Sequence, residues 1–486
     1  MLAVLGASNV AGNTTNVPSR EKIDEHLTFL MAQGAIPGLA AYVSTPDGSW
    51  LFYKGEQEID SGKVVNSETV FEIGSNSKAF TGTLAELLIE RGVLDPNKNV
   101  SAYVPWFTLS YNGVEPKIRD LIHHTSGLAF KTIRHIQQYE TAGLEPIIRN
   151  LMEDRLINEP GRFFSYATAN YTVLAFVIEQ ITGRKFSELV KKEILQPMSL
   201  SHTWVSNEDF VPEMKSDGHK IKYGQALPVE APIYWEHAAG GYMHSTLPDM
   251  IQWTKAVQLA AVAPDSELYR AINKSLQPNQ SVAPSSIYGS FYGAGWFVFQ
   301  TWGTEYYHSG TNPTFSSCVD LLPDSKTSIV VLANLNSNLV NESCRSILFY
   351  LKTGYFGESN ASLRQIDRYA MGLSALSLVI IVIGLLIGTY RLTRIMKEKY
   401  KPSRIDLVKG GFALVLWMGF ATAIVTVLPS VMFYMLPLSV LIEWGPQSIE
   451  QTIILCWSAM VLIALVRFMK IWRSPLSKQV SNYEYN

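Results

Sequence analysis

Ser75 and Lys78 stand three residues apart in Ser75-Asn76-Ser77-Lys78. In a helix beginning near Ser75, that spacing sets an amine one turn from a hydroxyl. A serine hydroxyl is a weak nucleophile until a neighbour takes its proton, and a lysine does so only where burial or positive charge lowers its own pKa. The chemistry indicated is acyl transfer through a serine ester. The pair alone is a weak signal: about two such pairs arise by chance in a chain this long, and Ser19 with Lys22 is a second. Context separates them. Ser75 follows Phe71-Glu72-Ile73-Gly74 and opens an apolar helix, so its hydroxyl sits at a helix N-terminus, where the dipole favours developing negative charge.

Positioning that pair requires a scaffold, and its elements are legible. Residues 21–33 place Ile23, Leu27, Leu30 and Met31 on one helical face, and residues 39–44 and 49–53 read as a hairpin around Pro46, Asp47 and Gly48. Near the other end, residues 316–322 and 327–333 flank the turn Pro323-Asp324-Ser325-Lys326, and 343–351 reads as helix. Between these strand-rich ends, apolar faces and glycine stops predict helices over 78–91, 118–123 and 171–181. The expected fold is α/β in the α+β sense: an antiparallel sheet made from both ends, helices packed on it, and a helical subdomain inserted between.

Composition adds a second material. Of 486 residues only 17% are charged, where a soluble enzyme carries about 25%. The deficit lies at the end: 369–390 and 410–442 contain no Asp, Glu, Lys or Arg, and each exceeds the roughly 18 apolar residues that mark a spanning helix. A third stretch, 451–466, is extended by Arg467 and Lys470. Pro429 and Pro437 are expected to interrupt the second segment. A purely soluble chain, a disordered one and a nucleic-acid binder are excluded, because the net charge is only -2 and no large basic patch is present. Arg391, Arg394, Lys397, Lys399, Lys401, Arg404 and Lys409 lie between the first two spans, and Arg467, Lys470, Arg473 and Lys478 follow the third. The positive-inside bias makes these segments cytoplasmic and turns the large N-terminal part outward. The opening MLAVLGASNVAG reads as a signal-peptide remnant or a disordered terminus. Cys318 and Cys344 lie in the outward part, as a disulfide or as two buried thiols, and Cys456 lies in a span. Spacing suggests neither a metal site nor a cofactor.

Further segments carry a resemblance. Phe164-Ser165-Tyr166-Ala167-Thr168-Ala169-Asn170-Tyr171 resembles the Tyr-x-Asn element of penicillin-recognising serine enzymes, and His308-Ser309-Gly310 resembles their Lys-Thr-Gly or His-x-Gly element. Leu121-Ile122-His123-His124-Thr125-Ser126-Gly127-Leu128 and Gly240-Gly241-Tyr242-Met243-His244-Ser245-Thr246 are similar to secondary signatures of that superfamily. More narrowly, Phe163 to Tyr171, His244 to Met250, Asn312 to Cys318 and Leu332 to Asn338 resemble the prodrug-activating peptidases that mature colibactin, zwittermicin and xenocoumacin. The resemblance implies a serine β-lactamase or D,D-peptidase-like domain facing the periplasm, followed by three spans in the bacterial inner membrane. The expected division is a leader or loose terminus over 1–18, the peptidase over 19–357, a membrane domain over 366–475 with spans near 369–390, 412–438 and 449–468, and a cytoplasmic tail over 476–486.

By that resemblance Ser75 is the nucleophile, Lys78 its proton acceptor and Tyr166 the group that protonates the leaving amine. As a base the tyrosine would need a pKa depressed by a nearby ammonium. The backbone N–H groups of Ser75 and Thr311 are the expected oxyanion hole. Thr168, His244 and Asn312 are expected to bind an asparagine side chain, with His308, Gly310 and Glu72 lining the site; for Glu72 a solvated carboxylate at a strand end is an equal reading. Thr168 stands where most β-lactamase-like enzymes have Asn, and the activating peptidases carry a small hydroxyl residue there. The implied substrate is an acyl-D-Asn-capped prodrug, with membrane lipid as a partner and an exporter or a second copy of the chain left open. The spans are expected to capture an acylated substrate or dock an exporter, or else to serve as an anchor with no further role. Two other readings stand beside this one: a D,D-peptidase, β-lactamase or esterase of the same fold, and a β-lactam sensor, for which the short cytoplasmic segments leave no room for a signalling domain.

Overall fold

The computed structural model describes residues 18–138, 143–285, 289–359, 361–398, 404–432 and 436–469. Most of the expected leader, part of the basic loop and the cytoplasmic tail fall outside them. The strands are β1 (Gly38–Thr45), β2 (Gly48–Gly55), β3 (Val70–Glu72), β4 (Thr203–Trp204), β5 (His219–Lys222), β6 (Gln225–Pro228), β7 (His244–Thr246), β8 (Phe291–Tyr292), β9 (Phe297–Phe299), β10 (Glu305–Thr311), β11 (Ser316–Leu322) and β12 (Thr327–Ala333). The α-helices are α1 (Arg20–Gly34), α2 (Ser77–Glu90), α3 (Ile118–Ile122), α4 (Leu144–Leu151), α5 (Ala169–Thr182), α6 (Phe186–Val190), α7 (Leu247–Val262), α8 (Glu267–Ser275), α9 (Asn338–Thr353), α10 (Ser362–Glu398), α11 (Arg404–Met432), α12 (Leu438–Trp444) and α13 (Ser448–Phe468).

The main sheet has the order β2-β1-β12-β11-β10-β9-β8 and every neighbouring pair is antiparallel. Pairing of Leu39 with Ala333 joins the two ends of the domain, as the sequence predicts. Strands β11 and β12 are buried at every residue, because helices cover both faces. Alternation divides their side chains cleanly. Val319, Leu321, Val330 and Leu332 join Phe80, Phe176 and Trp253 on the side of α2, α5 and α7. Cys318, Leu322, Ile329 and Val331 join Ile23, Leu27 and Leu348 on the side of α1 and α9. Cys318 and Cys344 are bonded, with an S–S distance of 2.01 Å, and tie β11 to α9.

Three helices, Ser362–Lys397, Leu407–Val431 and Ser448–Phe468, are long and apolar enough to cross a membrane. The first and third pack through small polar side chains: Ser374 Oγ lies 2.8 Å from Thr452 Oγ1, and Ser377 Oγ 3.3 Å from Cys456 Sγ. The second span ends earlier than its apolar stretch suggests. Pro429 remains inside α11, whereas Pro437, with no N–H to continue a helix, caps the separate short helix α12.

Segment 436–447 turns back onto the N-terminal domain. Val440 packs with Ile133, Tyr234 and Tyr242, Lys220 Nζ donates to the Ile442 carbonyl at 3.1 Å, and Asn336 Nδ2 to that of Trp444 at 3.0 Å. Beside it the buried Asp367 carboxylate accepts from the Tyr223 and Gly224 amides and the Ser448 hydroxyl.

Cys318 and Cys344 close a loop across 26 positions. Replacing both by Ala is expected to cost roughly 2–4 kcal/mol, read as a lower thermal midpoint that reductant lowers no further. An unchanged midpoint would refute a stabilising bridge.

Candidate active site

The chain reaches Ser75 through β3, then makes a tight turn over Gly74–Asn76 into α2. Gly74 is in the left-handed region at φ +55, and a Cβ there would lie 2.4 Å from the Thr311 nitrogen. A Cβ on Gly310 would lie 2.0 Å from the Ile73 carbonyl. Both positions therefore require glycine, and their close approach lets the end of β10 lie against the start of α2. The backbone N–H of Thr311 is thereby carried to the same turn as that of Ser75, as the sequence expectation requires. Asn341 Nδ2 holds the Thr311 hydroxyl at 2.8 Å.

Lys78 points from the first turn of α2 into a closed space. It is 0% exposed, its Nζ lies 3.0 Å from Ser75 Oγ, and it donates to the Gly240 carbonyl. Burial lowers its pKa to about 7. The Tyr166 ring centroid lies 5.0 Å from Nζ, and its hydroxyl is hydrogen-bonded to Ser75. Burial raises the Tyr166 pKa and the bond to Ser75 opposes this only partly. The condition for a tyrosinate base is therefore not met. A phenol carrying its proton, next to an amine that is neutral near pH 7, suits Lys78 as acceptor and Tyr166 as donor.

Glu72 and His244 are cross-strand partners on β3 and β7, and Trp204 on β4 continues the row. Glu72 is 3% exposed, so the solvated reading is wrong. Its Oε2 accepts from Asn312 Nδ2 at 2.6 Å, and Lys215 Nζ lies 3.5 Å from Oε1. Burial raises its pKa, and Lys215 and Asn312 oppose this. Asn312 Nδ2 also donates to the Gly241 carbonyl at 3.0 Å, which uses both of its N–H bonds and leaves Oδ1 as an acceptor. His244 is neutral, its pKa held well below the usual value by burial and then by Lys215. Its Nδ1 lies 3.2 Å from the Tyr242 carbonyl, which places the proton there and leaves Nε2 an acceptor, 3.8 Å from Glu72 Oε1. Thr168 lies beside Gly240, where a Cβ would meet its Cγ2 at 2.7 Å. His308 faces the catalytic group from β10, with Nε2 3.1 Å from the Tyr292 hydroxyl and a pKa lowered to about 3, chiefly by burial and then by Lys78.

Residues 23–345 match the family described as Beta-lactamase. The chain belongs to the beta-lactamase family. It is similar to the protein flp of Staphylococcus aureus, 30% identical over 331 residues, 66% of this chain and 64% of that protein. It is also similar to PbpX of Bacillus subtilis, 24% identical over 275 residues, 56% of this chain and 64% of that one. The chain thus spans about 64% of the length of these relatives. A solved structure, the octameric penicillin-binding protein homologue from Pyrococcus abyssi, shares the fold with a TM-score of 0.59 at 21% identity, over 68% of this chain and 77% of that one.

Within this beta-lactamase-family chain, the structure brings together Ser75, Lys78, Tyr166, Thr168, His308, Gly310 and Thr311, and places Glu72, His244 and Asn312 beside them. Lys215 and Tyr292 were missed. Lys215 lies in the irregular stretch before β5 with no motif around it, and Tyr292 on a strand of two residues; only their contacts reveal them.

If Lys78 must be neutral to accept the Ser75 proton, kcat/KM rises about tenfold per pH unit on the acid side of about pH 7 and flattens above it. Lys78→Arg removes the rise together with the activity. A flat profile from acid pH to well above neutrality would exclude this role.

Proposed function

We propose that the chain is a membrane-anchored serine peptidase that hydrolyses the amide linking an N-acyl-D-asparagine cap to a nonribosomal peptide or polyketide prodrug. The observation that carries this reading is the buried Glu72–Asn312–His244 group beside Thr168. A primary amide offers two N–H donors and a carbonyl. Asn312 Oδ1 and His244 Nε2 are acceptors for the former, and the Thr168 hydroxyl is a donor for the latter. A small apolar side chain such as D-Ala would leave these groups unpaired, which such sites reject strongly. The resemblance to the activating peptidases supports D configuration and the acyl group.

In this reading Ser75 Oγ attacks the amide carbonyl as its proton passes to the neutral Lys78 amine, 3.0 Å away. The new C–O bond forms while the carbonyl oxygen becomes an oxyanion held by the N–H groups of Ser75 and Thr311. Collapse breaks the C–N bond, and the departing nitrogen takes the Tyr166 proton, which Lys78 replaces. Water then attacks the ester, giving its proton to Lys78, and Ser75 recovers its own. The acyl-D-Asn acid leaves, and the prodrug has become a free amine.

The three candidate spans and the basic segments beside them support an inner-membrane protein with the catalytic domain in the periplasm and the C-terminus in the cytoplasm. Lipid is then its surroundings, and the prodrug meets it after export.

The test is a chromogenic acyl-D-Asn amide set against its L-Asn and D-Ala counterparts. The D-Asn compound is expected to be favoured by about 100-fold or more, and Ser75→Ala to abolish turnover. Preference for D-Ala would transfer the chain to the D,D-peptidases.

A further inference from the structure

We propose that His124 is the positioning residue for Tyr166, the group that protonates the leaving nitrogen. The proposal rests on the roles given above to Ser75, Lys78 and Tyr166, and not on the identity of the cap. His124 is 0% exposed and lies behind the site in the His123-His124-Thr125-Ser126-Gly127 turn. Its φ is +55, in the left-handed region that few non-glycine residues adopt and that histidine tolerates better than most. That conformation aims two acceptors of one residue at one strand of chain. The His124 carbonyl accepts from the Ser165 N–H at 2.7 Å, and its Nδ1 from the Ala167 N–H at 3.3 Å. These are the N–H groups of the residues on either side of Tyr166. The imidazole also lies against the Tyr166 ring, with centroids 4.4 Å apart and planes inclined at 35°. One residue thus clamps the tyrosine before it, after it and on its face.

The clamp is itself braced. Asn170 Nδ2 donates to His124 Nδ1 at 2.8 Å, and Asn170 Oδ1 accepts from Ser126 Oγ at 2.6 Å. Two donors on Nδ1 fix it as the unprotonated nitrogen and the proton on Nε2. Burial holds the ring neutral, well below the usual histidine pKa, and Lys78, His308 and His123 add to this. A neutral ring keeps a second positive charge away from Lys78. The purpose of so many constraints on one phenol is geometric: the Tyr166 hydroxyl must meet both Ser75 Oγ and a nitrogen that departs from it, and a misplacement of about 1 Å costs about 100-fold.

The measurement separates leaving groups. An alkylamide and a p-nitrophenyl ester are made with the same cap, acyl-D-Asn or acyl-D-Ala, whichever the unaltered chain prefers. Preference for the D-Ala cap defeats the substrate assignment and leaves this comparison standing. The ester's phenolate needs no proton to depart; the alkylamine does. His124→Phe retains a ring and removes the Nδ1 acceptor. It is expected to lower kcat on the amide by about 100-fold with KM within about twofold, and kcat on the ester by less than about fivefold. His124→Asn keeps an acceptor at the δ position and tolerates the left-handed backbone, so it should recover about tenfold of the loss. If the Phe variant does not fold, the Asn variant carries the same amide-to-ester comparison with a smaller loss. In a Tyr166→Phe background, the His124 substitution should cost nothing more. Equal losses on amide and ester, or the same loss with and without Tyr166, would overturn the proposal.

Discussion

An amine buried without a carboxylate holds its proton loosely, and Lys78 is kept in that state by its surroundings. Its partners among the described residues are a hydroxyl, a peptide carbonyl and the faces of Tyr166 and Tyr171. None of these pairs with a positive charge as an ion would, so burial prevails and the pKa falls to about 7. The same burial raises Tyr166 and lowers His308 and His124. Burial therefore moves these groups apart, the amine and the imidazoles downward and the phenol upward, so that each is driven toward its uncharged form.

That enclosure depends on contacts between distant stretches of chain. Gly74 and Gly310 let the turn before α2 and the end of β10 approach more closely than a Cβ on either would allow. The carbonyls of Gly240 and Gly241 then do adjacent tasks, one accepting from Lys78 and the other from Asn312. Lys78 and Asn312 are thus both held by one short peptide. Rotation of that peptide would disturb both hydrogen bonds.

The same peptide leads to Tyr242, against which Val440 packs. The apolar contact is reinforced by hydrogen bonds from Lys220 and Asn336 to carbonyls of the segment between α11 and α13. Asp367 fastens the β5–β6 hairpin to the first and third candidate spans, since a buried carboxylate stripped of those donors would be costly. The contacts with the N-terminal domain are thus made by the short segment before α13, by Asp367 in α10 and by Ser448 at the start of α13.

Much of this was legible beforehand. Strands β11 and β12, the hairpin at the other end and the helix behind Ser75 follow from periodicity, and the apolar spans follow from length, because these are properties of neighbouring residues. The Ser75–Lys78 pair was visible for the same reason, being one helical turn. Pro437 and Pro429 look alike in sequence, yet Pro429 stays inside α11 and Pro437 caps α12. Glu72 was left undecided between solvent and site, and His124 had a motif but no task. What the sequence by itself determined is the set of local elements, the reactive pair and the presence of membrane-length helices. What only the tertiary structure decided is which polar groups lose water together. Glu72 and Asn312 are 240 positions apart, and their burial, hence their charge and their use, exists only once the folded chain brings them into contact.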